Sequence, residues 1–290
     1  MVIQPPPAPT AFDPKNWGEV VDIKTIARTR IPCRGPETWR PLPHETFVQM
    51  IEQAFDRHGF NISEPLHYRA KSRDNGKIKD LPEHGRFLSL YGISHPQLSP
   101  IEGVTWEAGF ANSYDMSTAA GGGLGRRVDV CSNGCYMGAT MGFKRKHTIG
   151  IDRDRGGMFE HVFSLVDNAV GGLLLQAETE VHRIERWKNT ECSNNDARYV
   201  ILEAAKKGII GAAATLRVLQ HWETPEHPEF KDRNVWSLEN AFTSNDRGRN
   251  VLTQSDRFNK LDVLINDRFG FGDPTGDQSP VGLELAADFD

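Results

Sequence analysis

The tightest constraint on this chain lies in residues 105 to 148, TWEAGFANSYDMSTAAGGGLGRRVDVCSNGCYMGATMGFKRKHT, where small and polar residues crowd together as nowhere else. Aromatic and polar residues alternate from Trp106 to Phe110, the period of a β-strand. Asn112, Ser113, Asp115 and Ser117 follow, short side chains that bond nearby backbone groups and turn the chain. The glycine run Gly121 to Gly125 then predicts a flexible hairpin tip that carries Arg126 and Arg127. Val128, Val130 and Cys131 read as a returning strand, ended by Ser132, Asn133 and Gly134. A basic run, Lys144-Arg145-Lys146-His147, closes the segment.

The flanking chain sets the fold class. Between Pro43 and His58, Phe47, Val48, Ile51, Ala54 and Phe55 fall three and four apart, which places them on one face of a helix that Gly59 stops. Phe60 to Ser72 and Arg86 to His95 alternate as strands, with Asp74-Asn75-Gly76 as a hairpin turn between them. One helix followed by antiparallel strands predicts an α+β fold, with the sheet covered on one face and a mainly helical region after it. The expected divisions are an extended proline-rich arm and irregular segment at 1–42, an α+β core at 43–158, a helical region at 159–269 and a mobile acidic tail at 270–290. The proline arm is either a loose tail or a strap that docks on a neighbouring subunit. Residues 17–43, with the apolar stretch Val20 to Ile26, several prolines and Trp39, read as irregular chain over the core.

In the helical region, Phe159 to Asn189 reads as one long helix interrupted at Gly171-Gly172, where each glycine costs about 1 kcal/mol relative to alanine and predicts a kink or a close contact. Asp196 is expected to cap a helix over 197–207, and further helices are expected at 212–222, 236–242 and 258–269.

A net charge of -5 argues against a general polyanion binder and leaves nucleic-acid contact to a local basic patch. Four scattered cysteines, Cys33, Cys131, Cys135 and Cys192, point to free thiols in a reducing cytoplasm. No apolar run approaches the ~20 residues that cross a bilayer, and the start of the chain lacks the pattern of a signal peptide.

The motifs offer several chemistries. GGGLG lacks the flanking helix of a dinucleotide loop and the Lys-Ser/Thr pair of a P-loop, so it reads as a hairpin tip. Cys131, Cys135 and His147 fall within the loose range of zinc spacing but lack the second close pair of a structural site, so no metal or cofactor is expected. Asp115, His147 and Cys131 match no nucleophile signature, and His67, His84, His95 and His161 read as ordinary histidines. The basic run is either a solvated face or a clamp on phosphates, which Arg126 and Arg127 would join if the hairpin folds toward it. Tyr114, Tyr136 and Phe143 are the aromatic residues available nearby for stacked bases.

Three motifs resemble one family. N-S-Y-D-x-S at Asn112 to Ser117, R-x-D-V-C-S-N-G at Arg127 to Gly134 and K-R-K-H-T at Lys144 to Thr148 are similar to the phage/plasmid-like family, a domain of unknown function in phages, prophages and plasmids. Trp236, Asn240, Ala241 and Thr243 continue the likeness. Tyr114, where relatives often have histidine, and Met116, where many have glycine, depart from it. The resemblance implies a mobile-element origin and no established reaction. The order of elements is similar to that of single-strand annealing proteins, whose rings hold DNA in a basic groove.

These observations lead to the expectation of a non-enzymatic, homo-oligomeric protein in the cytoplasm of a bacterial host cell, without membrane contact, that binds single-stranded DNA in replication or recombination. Arg126, Arg127, Lys144, Arg145, Lys146 and His147 would meet the nucleic acid, and Asn112, Ser113, Asp115, Ser117, Asn133 and Gly134 would shape the loops. A factor that binds a host protein or counters host defence, and an uncharacterised nucleic-acid enzyme with Asp115 and His147 in its site, are the alternatives.

Overall fold

A computed structural model describes residues 6, 7, 9, 18–37, 39–128, 133–135, 141–145, 158–245 and 251–271. Its strands are β1 (Glu19–Val21), β2 (Asn61–Ile62), β3 (Leu66–Ala70), β4 (Arg86–Ser94), β5 (Val104–Ser113), β6 (Ala120–Val128), β7 (Asn133–Cys135) and β8 (Met141–Arg145). Every pairing is antiparallel, along the path β1-β3-β4-β5-β6, with β2 beside β4. Strands β7 and β8 lie beside different stretches of β6. The helices are α1 (Ile23–Ala27), α2 (His44–Arg57), α3 (Met158–Gly171), α4 (Leu173–Lys188), α5 (Asn194–Lys206), α6 (Ala212–Glu223), α7 (Val235–Asn245) and α8 (Val251–Phe269). The fold is therefore α+β, as the order of patterns predicts.

One face of the sheet carries the first core. The α2 stripe of Phe47, Val48, Ile51, Ala54 and Phe55 packs with Phe87, Tyr91, Ala108, Phe110 and Leu124 of the strands and with Val162, Val166 and Val170 of α3. Each of the larger side chains contributes about 1.5–3 kcal/mol relative to exposure, so the stripe alone fixes which side of the sheet α2 covers. A smaller cluster of Tyr68, Ala70, Leu88, Leu90 and Ala111 lies on alternate positions of the same strands. The second large core belongs to the helices. It runs from Ile184 and Trp187 of α4 to Leu264 and Ile265 of α8, and takes in Val104 and Val128 from the ends of β5 and β6.

Several local expectations are corrected. The glycine run forms the interior of β6 and not a hairpin tip: a β-carbon on Gly122 would stand 2.2 Å from Cδ1 of Phe110, so the Phe110 ring occupies the space a side chain would need. The turn between β5 and β6 falls earlier, at residues 114–119, where Met116 has φ 60°. Asn133 and Gly134 do not end a strand; they begin β7 and pair with Val128 and Arg127. Val20 to Ile26 is ordered, as part of β1 and α1. Asp74-Asn75-Gly76 lies in the long 71–85 connection of β3 to β4, with the Gly76 N–H donating to Asp74 Oδ1. The helix over 159–188 breaks into α3 and α4 at the glycine pair, and a β-carbon on Gly171 would meet the His58 ring at 2.8 Å, so both the break and the close approach occur. Ser193, not Asp196, caps α5, and Asp196 completes the capping box. Pro6 and Pro9 are buried and the Pro7 carbonyl stands over Gly92, so these prolines pack on β4 of their own chain.

Candidate functional site

The turn after β5 is built by its own polar side chains. Ser113 Oγ donates to the Thr118 carbonyl at 2.8 Å and accepts from the Thr118 N–H at 3.0 Å, which closes the turn across five residues. Asp115 accepts the Ser117 N–H at Oδ1 (2.9 Å) and the Arg73 N–H at Oδ2 (2.7 Å), while its carbonyl accepts from Asn75 Nδ2 (2.8 Å). One carboxylate thus ties the turn to the 71–85 loop. Asn112 Nδ2 donates to the Leu42 carbonyl at 2.8 Å and stands 3.0 Å from His44 Nδ1, so the strand end is stitched to the start of α2. Tyr114 Oη accepts the His44 N–H at 3.0 Å, and the two rings stack with centroids 3.9 Å apart. Burial pushes the Tyr114 phenol up to about 12. Asn112, Ser113, Tyr114 and Asp115 are all buried, and these bonds give Asp115 a structural role in fixing the turn.

Arg126 and Arg127 stand elsewhere than expected. Arg126 is 1% exposed; its Nη1 meets Glu180 Oε1 of α4 at 2.5 Å and its Nη2 meets Glu239 Oε1 of α7 at 3.1 Å. The guanidinium also lies over the Trp236 ring, 5.1 Å from its centroid. Glu180 reaches a second guanidinium, Arg183, which also pairs with Asp262 of α8. Burial works against the charge on Arg183, but Asp262 and Glu180 overcome it and hold its pKa above the ordinary arginine value. Arg127 is 8% exposed and pairs with Glu107 at 3.3 Å. Both arginines are neutralised inside the protein, so this conformation gives neither to a phosphate.

The remaining basic residues lie at the other end of β6. Lys144 stands opposite Gly121 and Arg145 opposite Ala120, whereas Arg126 pairs with Cys135 of β7. Six residue steps separate Ala120 from Arg126, roughly 20 Å at ~3.3 Å per residue, so the backbone positions of Lys144 and Arg145 are set well away from that of Arg126. The side chains of Lys144 and Arg145, and the whole of Lys146 and His147, lie outside the described residues. Of the proposed stacking aromatics, Tyr114 is committed to His44 and Phe143 is buried edge-on to Phe47 at 6.1 Å; Tyr136 lies outside the described residues. A cleft of about 320 Å³ with Arg28, Arg69 and His84 in its walls opens beside α1 and β3. It lies at the far side of the sheet from β8, so it does not extend the basic run.

Among the described residues no group of three or more histidine, cysteine or acidic side chains could hold a metal ion. Cys131 and His147 are outside that set. Cys33 and Cys192 are free thiols, with Cys33 Sγ 3.1 Å from Asp80 Oδ2. His67 is buried against Ser89 Oγ at 2.7 Å, and burial brings its pKa down to about 4, which keeps the ring neutral. Among the described residues no helix is long and apolar enough to cross a membrane.

The sequence does hold a signal for the charged cluster that motif reading overlooks. Glu180 falls on the apolar stripe of α4 with Leu173, Ala177, Ile184 and Trp187; Glu239 falls with Val235 and Phe242; Asp262 falls with Phe258 and Ile265. A carboxylate at a core position of a helix needs a buried partner, and three of them point to buried arginines. No family model matches the chain, and neither a curated protein nor a solved structure matches it.

Proposed function

We propose that this protein binds single-stranded DNA as a non-enzymatic, oligomeric component of a mobile element in the cytoplasm of a bacterial host, with contact centred on the basic run Lys144 to His147. The observation that carries the reading is the place of β8. Among the described residues it pairs with β6 alone, so Lys144 and Arg145 lie on the rim of the sheet where the most concentrated positive charge in the sequence begins. Lysine and arginine on a rim neutralise phosphates without reading bases, and the affinity they give falls with salt. Tyr114 and Phe143 are committed to the interior and take no part in stacking, so the contact rests on phosphates and is largely independent of sequence. The likeness of three motifs to the phage/plasmid-like family supports the mobile-element part of the reading. The bonds that occupy the Asp115 carboxylate favour binding over catalysis by that residue.

The test is fluorescence anisotropy of a labelled oligonucleotide with wild type and the Lys144→Ala/Arg145→Ala/Lys146→Ala variant. Three lost phosphate contacts reduce the salt slope by roughly two on single strands. Equal affinity and equal slope for the two proteins would overturn the reading.

A further inference from the structure

In the joint between sheet and helices, three carboxylates face two guanidinium groups. Glu180 of α4, Glu239 of α7 and Asp262 of α8 stand against Arg126 of β6 and Arg183 of α4. Fully ionised, the five groups sum to one negative charge, and two of the carboxylates are sealed from water, Glu239 being 0% and Asp262 2% exposed. The pairing is also incomplete. Glu239 gives Oε1 to Arg126 and Asp262 gives Oδ2 to Arg183, which leaves Glu239 Oε2 and Asp262 Oδ1 buried without a hydrogen-bond partner among the described residues. An ionised carboxylate with an unpartnered oxygen in the interior is the expensive form; protonation removes the surplus charge.

We propose that this joint holds a proton at neutral pH, carried by the Glu239–Asp262 pair, and that release of the proton loosens the helices from the sheet. The charged groups acting on Glu239 are Arg126 from β6, Arg183 and Glu180 from α4 and Asp262 from α8. Burial, with repulsion from Asp262 and Glu180, outweighs the attraction of Arg126 and Arg183 and raises the Glu239 carboxyl from 4.5 to about 7. Burial raises Asp262 as well. The sign follows from linkage. A carboxyl whose pKa is higher in the folded state binds more protons folded than unfolded, so its contribution is full below 4.5 and is lost as pH rises through about 7.

Glu239→Gln imitates the protonated carboxyl. The expected result is a variant more stable than wild type at pH 8, by a factor on the order of ten or more in the folding equilibrium, with the advantage gone at pH 5. A variant destabilised equally at both pH values would overturn the proposal, because Glu239 would then act only as the anionic partner of Arg126. Wild type alone supplies a second arm that does not depend on the variant folding. Amide exchange in α7 and α8, corrected for intrinsic rate and compared with α2, should accelerate between pH 5 and pH 8, with a buried protonated-carboxyl band lost from the infrared spectrum over the same interval. A constant exchange ratio and no such band would overturn it.

Discussion

The stretch Asn112 to Asp115 that opens the turn and the joint around Arg126 are both buried and polar, yet the first contains one carboxylate and the second five charged groups. In the turn the Asp115 carboxylate has a backbone N–H on each oxygen, and the Ser113 hydroxyl both donates and accepts. In the joint the charges do not balance, and two carboxylate oxygens and two guanidinium nitrogens, Arg126 Nε and Arg183 Nε, lack partners among the described residues. Local chain geometry can satisfy polar groups one by one, since a turn bends until its bonds close. A joint assembled from β6, α4, α7 and α8 must accept the positions the helices allow. The turn therefore fixes shape, while the joint fixes which elements meet and leaves a residual electrostatic cost that pH can modulate.

The comparison breaks most readily at Arg126. Arg126→Met strands Glu239 and leaves Glu180 with Arg183 alone, and the expected loss is about 3–5 kcal/mol in denaturant unfolding. Replacing Arg126, Glu180 and Glu239 together by apolar residues leaves Arg183 facing Asp262 one to one, and should recover most of that loss. A triple variant no more stable than Arg126→Met would mean that the joint acts through packing and not through unpaired charge. Next in size is Asp115→Ala, which removes the charged acceptor of two part-buried N–H groups and should cost about 1–3 kcal/mol, measured in the same way. Asp115→Asn keeps one acceptor oxygen and should lose roughly half as much. Smaller still is Ser193→Ala, a purely local cap on α5, with an expected loss of about 1 kcal/mol in thermal unfolding.

How far the sequence discloses the structure follows the same division. The α2 stripe, the strand alternation around β4 and β5 and the turn-forming character of Asn112, Ser113 and Asp115 depend on neighbours within a few residues, and all appear as local pattern. The glycine run misleads because local rules assign glycine to tips, whereas Gly122 is required by a ring on the adjacent strand, Phe110. Arg126 and Arg127 mislead for a related reason: a sequence shows where a cation is and not whether a carboxylate 54 or 113 residues away will meet it. Glu180, Glu239 and Asp262 on apolar stripes were the available warning, legible only when each helix is read for the residue that does not belong to its face.

The weakest expected effect on stability belongs to the basic run. If the proposed surface role holds, Lys144→Ala/Arg145→Ala/Lys146→Ala should stay within about 0.5 kcal/mol of wild type in thermal unfolding. A loss comparable to that of Arg126→Met would place these residues in the interior network and remove them from the binding surface.

The proposal that the basic run meets the nucleic acid while Arg126 and Arg127 stay in the interior is tested most directly by arginine modification of the native protein, mapped by mass spectrometry with and without a single-stranded oligonucleotide. The account predicts that Arg145 reacts and is shielded by the oligonucleotide, while Arg126 and Arg127 stay unreactive in both samples. Reaction of Arg126 or Arg127 in the folded protein, with protection on adding the oligonucleotide, would contradict it.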